Sequence, residues 1–150
     1  YQREYFASYH DKSILIRFTA SEPGKLSFNL QQQFPDNRQQ TLDWQNSQSM
    51  ADGQLIVQGK LNDNQLGFAS ALIWRLDGGE ATLSGNQLQV RNANQVELIL
   101  TAATDYANQY PAYRGESASN KIKTILSGLQ NKSWQAIWRD HLADYQSLFN

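Results

Sequence analysis

Hydrophobic positions recur every second residue through Thr104 and at three- and four-residue spacing after it. In the opening stretch Arg3 to Leu30, Tyr5 to Tyr9 mixes aromatic and small residues and stops at His10-Asp11-Lys12. Ile14, Ile16 and Phe18 then alternate with Leu15, Arg17 and Thr19, giving one apolar and one mixed face. Leu26, Phe28 and Leu30 alternate again beyond Glu22-Pro23-Gly24, where Pro presets φ and Gly supplies φ > 0. The expectation is three successive antiparallel strands, with the last two joined as a hairpin at the Pro-Gly turn.

Gln31 to Ser49 is polar, so it reads as a long loop with a short strand around Thr41 to Trp44. Ala51-Asp52-Gly53 is expected to turn into a strand that ends near Lys60. Asn62-Asp63-Asn64 turns into a longer strand, Leu66 to Leu76. Asp77-Gly78-Gly79 has the composition of a two-residue hairpin. Short strands follow around Ala81 to Leu83 and Leu88 to Val90, separated by Gly85-Asn86. Beyond Asn92-Ala93-Asn94, Val96 to Ala103 is apolar on both faces, as a central strand should be. Short strands between Gly, Asn and Asp turns predict an antiparallel β-sandwich.

After Thr104 the period changes. Asp105 to Glu116 is irregular and carries Tyr106, Tyr110, Pro111 and Tyr113. Ile122, Ile125, Leu126 and Leu129 predict a helix, with Ser117 or Ser119 as N-cap and Gly128 near its end. Ser133 starts a second helix whose apolar stripe holds Trp134, Ile137, Trp138, Leu142, Tyr145, Leu148 and Phe149. Such a stripe must lie on the sandwich or on a neighbour outside this chain. The fold class is therefore mainly β with C-terminal helices, divided into a sandwich segment over 1–104 and a helical tail over 105–150.

Composition narrows the function. A net charge of −1 with scattered basic residues argues against nucleic acid. No apolar run approaches the roughly 20 residues of a membrane span. Cysteine is absent, which removes thiol catalysis, disulfides and thiolate metal sites and fits a bacterial cytoplasm or periplasm equally. No signal peptide is visible. A chain opening on Tyr1-Gln2-Arg3-Glu4 reads as a piece excised from something longer.

Candidate chemistry is sparse. A glycosidase needs two carboxylates across a sugar-sized gap. Of Asp105, Glu116, Asp140 and Asp144, none sits in an evident pocket motif, and Asp140 and Asp144 read as a solvated helix face. His10 and His141 lack metal-ligand spacing: His10 reads as a hydrated turn residue, His141 as hydrogen-bonded to backbone or carboxylate. No phosphate loop or nucleophile elbow appears. The expectation is no catalytic residue, no metal and no cofactor. Trp44, Tyr106, Tyr110 and Tyr113 are candidate carbohydrate contacts. Trp134, Trp138, His141 and Tyr145 are candidates for packing against another domain.

The segments Arg3-Glu4-Tyr5-Phe6-Ala7-Ser8, Arg17-Phe18-Thr19-Ala20 and Leu26-Ser27-Phe28 carry a resemblance. With Ala51-Asp52-Gly53-Gln54-Leu55, Gly78-Gly79, Ala102-Ala103-Thr104 and the closing His141 to Phe149, they resemble the amino-terminal domain of glycoside hydrolase family 95, α-L-fucosidases acting on α-1,2-linked fucose. The resemblance implies the later part of a larger sandwich, followed by a helical linker into an (α/α)6 barrel that performs inverting hydrolysis. On that likeness no catalytic residue lies in this chain, no metal or cofactor is needed, and the barrel of the same parent is the partner. Location outside the cytoplasm follows from the substrates. Earlier family strands are missing here, so uncovered sheet and the Trp134/Trp138 stripe would favour self-association. The alternatives are a stand-alone carbohydrate-binding module and a protein-interaction domain docking through its last helix.

Overall fold

The strand apolar on both faces lies inside the molecule. The computed structural model describes residues 1–34, 40–48 and 52–149, with the side chains of 44–48 left aside. In it β9 (Gln95–Thr104) pairs antiparallel with β2 (Ser13–Thr19) on one side and β6 (Gly67–Asp77) on the other. Around these three run β1 (Gln2–Ser8) beyond β2, and β5 (Asp52–Leu61) and β4 (Gln40–Gln48) beyond β6. A second sheet has the order β3 (Leu26–Gln31), β8 (Gln87–Ala93), β7 (Glu80–Ser84). The chain ends in α1 (Ala118–Leu129) and α2 (Trp134–Ser147).

Strand alternation sends the two faces of the large sheet into different cores. Val96, Leu98, Leu55, Leu72 and Trp74 pack between the sheets against Leu88 and Val90. Ile99 and Leu15 point the other way, onto Leu129, Trp134 and Ile137 of the helices. Nearer the start of α1, Ala69 and Ala71 meet Ala118 and Ile122, and these alanines let the helix approach the sheet closely. The result is three layers: small sheet, large sheet, helices. Leu15 was expected on the mixed face of its strand and is fully buried because the helices cover that face.

Both helices start on serine. Ser117 Oγ accepts from the Asn120 N–H and Ser133 Oγ from the Ala136 N–H, each at 3.2 Å. Such a cap is worth about 1 kcal/mol. Ser117 fills the role that spacing left open between it and Ser119.

The structure corrects the expected hairpins. Pro23-Gly24 does not pair its flanking strands, because β2 lies in the large sheet and β3 in the small one. Gly78-Gly79 likewise carries the chain from β6 across to β7. The two-residue hairpin is Gly85-Asn86, with Ser84 opposite Gln87. The long loop with a short strand around Thr41 to Trp44 is instead the nine-residue β4. Asp52 and Gly53 belong to β5 rather than to a turn, and Ala51 lies outside the described residues.

Among the described residues, three crossings between the sheets meet at one residue. Asn94 O accepts from Ala20 N–H and Asn94 Oδ1 from Gly24 N–H, both at 2.8 Å, while its own N–H donates to Asp77 O at 2.8 Å. A Cβ on Gly78 would sit 2.6 Å from Asn94 Nδ2, and φ there is +67°, so glycine is required twice over.

Candidate functional site

Among the described residues, two of the acid groups on the helix side of the large sheet line pockets, while Glu4 and Glu97 pair with Arg17. The first joins the β1–β2 turn to α2. Asp11 is buried, accepting from Ser8 Oγ at 2.8 Å and from Lys132 Nζ at 2.6 Å. Lys132 also donates to Asp140 Oδ2 at 3.1 Å, and His10 Nδ1 lies 3.6 Å from Asp11. Ligand atoms of His10, Asp11 and Asp140 fall within 4.8 Å of one another, a spacing that suits a cation. Here the cation is the ammonium of Lys132. Burial pushes the Asp11 carboxyl up, but hydrogen bonds from Lys132 and Ser8 outweigh it and hold the carboxyl below its ordinary 3.8. The Asp11 hydrogen bond, aided by Asp140 and opposed by desolvation, lifts Lys132 above its ordinary 10.5. Asp140, expected on a solvated helix face, is thus a structural partner.

The second group lines a cleft of about 490 Å³ between β4, β5 and the start of α1. Asp43 and Gln58 are cross-strand neighbours, so alternation brings both to this face. Gln58 Nε2 donates to Asp43 Oδ2 at 2.9 Å, and Ser119 Oγ donates to Gln58 Oε1. On the facing wall Asp105 Oδ1 accepts from Gly67 N–H at 3.1 Å and lies 3.5 Å from Arg114 Nε. Asp105, which no evident pocket motif marked in the sequence, lines this cleft together with Asp43. Their segments are far apart in sequence, so no short motif announced them.

The candidate aromatics separate. Trp44 is placed on β4, but its side chain lies outside the described residues. Tyr106, Tyr110 and Tyr113 are exposed and do not line the cleft among the described residues. Their loop is closed by a bridge between Tyr106 and Arg114 and by Gly115 N–H donating to Asp105 O at 2.8 Å. Tyr110, 85% exposed, meets Tyr113 edge-on with ring centroids 6.3 Å apart.

On α2, spacings of three and four residues build a ladder of rings. Trp134 is buried, with Phe6 5.1 Å away on one side and the Arg17 guanidinium 4.0 Å over its ring. That tryptophan, expected to pack against another domain, is taken up inside the chain. Phe6 also meets Trp138 and His141, each at 5.0 Å. His141 was expected to bond to backbone or carboxylate; its described contacts are the rings of Phe6, Trp138 and Tyr145. The ladder continues to Tyr145 and Phe149, 4.9 Å apart, and there it leaves the sheet. Tyr145 is 53% exposed and Phe149 72%.

Comparison with known proteins agrees with this architecture. The whole chain is 28% identical to Alpha-L-fucosidase 2 of Arabidopsis thaliana, of which it covers 20%. The chain thus spans about one fifth of that curated relative. The likeness to family 95 read from the opening strands and from His141 to Phe149 accords with that relative. A model described as the N-terminal domain of glycosyl hydrolase family 65 matches residues 1–109, from β1 past the end of β9. With nine strands in two antiparallel sheets among the described residues beneath that match, the chain belongs to the glycosyl hydrolase family 65 N-terminal domain family.

Proposed function

We propose that this chain is a non-catalytic supporting domain of a glycoside hydrolase that cleaves α-L-fucosyl linkages. Its role is to pack against the catalytic region of the same parent, expected from the resemblance to be an (α/α)6 barrel. The observation that carries this reading is the half-used ladder of α2. Its first rings are spent on Phe6 and the large sheet, while Tyr145, Leu148 and Phe149 stand open at the end of the chain. Exposed large apolar groups gathered at one end of a helix are costly in water and suit an interdomain contact. The relative named for fucosidase activity supports the substrate class.

The test compares two settings. Tyr145→Ser with Phe149→Ser should change the stability of the 150-residue chain by no more than about 0.5 kcal/mol, as for exposed side chains. In the longer protein the same pair should lower both the melting temperature and fucoside turnover. Equal, small effects in both settings would remove the supporting role. Turnover of an α-L-fucoside by the 150-residue chain alone would remove the non-catalytic assignment. The reading places the parent where fucosylated glycans lie, in the periplasm or at the cell surface, and cell fractionation checks it.

A further inference from the structure

We infer that β1 is a pairing edge at which a second copy of this chain joins, strand against strand, to make one continuous sheet across a two-fold axis. A sheet edge presents unpaired N–H and C=O groups unless something blunts it. Among the described residues β1 has β2 as its one strand partner, in unbroken register from Gln2 to Ser8. The edges of the small sheet are blunted: β7 is five residues long, and β3 breaks its register between Leu26 and Phe28. The two faces of β1 differ. Glu4, Phe6 and Ser8 point to the helices, where Arg17 and Trp134 meet Glu4 and Phe6. Arg3, Tyr5 and Ala7 point the other way and are exposed.

Charge and alternation choose the register. Two antiparallel copies about an axis normal to the sheet keep like faces on one side, so the helix-facing residues of one lie opposite those of the other. Full overlap of the seven-residue strand then centres on Tyr5. Tyr5 faces the partner's Tyr5, Arg3 faces the partner's Ala7, and Glu4 faces the partner's Phe6. No like charges stand opposite, and Arg3 lies diagonal to the partner's Tyr5, within reach of its ring. Sliding toward Gln2 sets Glu4 or Arg3 against its own copy, which repels. Sliding toward Ser8 shortens the ladder and drives it into the His10-Asp11-Lys12 turn. The inference is independent of the supporting role, which depends on the exposed end of α2 and is tested there.

The experiment is sedimentation equilibrium of the 150-residue chain, with amide spectra recorded along a dilution series. The chain should dimerise with a Kd of about 10–500 μM, the weak range that suits burial of one strand edge. Amide shifts that follow concentration should gather on Gln2 to Ser8. Tyr5→Lys and Tyr5→Glu, each checked for folding by circular dichroism, should weaken the dimer at least about fivefold alone. Mixing the two should restore it, because opposite charges then face each other across the axis. Ala7→Glu, exposed and opposite the partner's Arg3, should tighten the dimer at least about twofold and serves if the Tyr5 variants misfold. The inference fails if the chain is a monomer at about 1 mM, or if the mixture associates no better than either variant. It fails equally if the shifts gather on β4 or on Tyr145 to Phe149.

Discussion

Two of the acidic groups on the helix side of the large sheet are built from similar residues and finished in opposite ways. Around Asp11 the chain supplies its own cation: Lys132 reaches from the α1–α2 junction and fills the space between Asp11 and Asp140. Around Asp43 and Asp105 the chain instead leaves a cleft. A carboxylate cluster closed by an internal ammonium joins one element to another. Asp43 and Asp105 instead stand at a cleft, beside the Gln58 amide and the Arg114 guanidinium, and no side chain ties one to the other among the bonds described. The difference lies in what occupies the middle, which residue types alone do not disclose.

The largest test of that contrast is Lys132→Met. It leaves Asp11, with a side chain 4% exposed, to Ser8 and the more distant His10, and removal of one partner from a buried charge is costly. Denaturant unfolding should show a loss of roughly 2–4 kcal/mol, and α2 should lose protection against hydrogen exchange first. A loss no larger than that of an exposed lysine would mean that the cluster is not structural.

A smaller and more diagnostic effect is the pH dependence of that loss. Asp11 is lowered in the folded chain, so its pairing stabilises above the ordinary 3.8 and is lost as pH falls through the lowered value. Lys132 is raised, so its contribution is complete below 10.5 and is lost as pH rises through the raised value. The difference between parent and Lys132→Met should therefore stay constant from about pH 5 to pH 10 and shrink on both sides. A steady slope across neutral pH would assign the effect to another group.

The smallest effect is expected in the cleft. Asp43→Asn should alter stability by less than about 0.5 kcal/mol, because the side chain is exposed rather than buried like that of Asp11. A loss matching that of Lys132→Met would erase the contrast and make the cleft acids structural as well.

Periodicity was informative about faces and silent about partners. The apolar run Val96 to Ala103 announced a strand covered on both sides, and it lies between β2 and β6 with Val96, Leu98 and Ile99 buried. Pro23-Gly24 and Gly78-Gly79 misled for one reason. A φ > 0 turn between alternating segments looks the same whether the chain folds back in one sheet or steps into another. Ser117 and Ser133 were legible as caps because capping is local. Asp11 escaped notice because its partner lies 121 residues away. The cleft escaped because Asp43, Gln58, Asp105 and Ser119 meet only once the strands are registered. The signal available was the polar alternation Thr41, Asp43 and Gln58, Lys60 on one face of neighbouring strands.

Because Asn94 fastens three passages at once, that end of the molecule has almost no freedom to change length. One residue inserted near Ala20, Asp77 or Ala93 would drag the anchor away from the other two links. Gly85 offers the contrast, since a side chain there would meet nothing within 4 Å. Grafted peptides, tags and natural insertions belong on the Gly85 side of that hairpin, since Asn86 is itself bonded to Gln32.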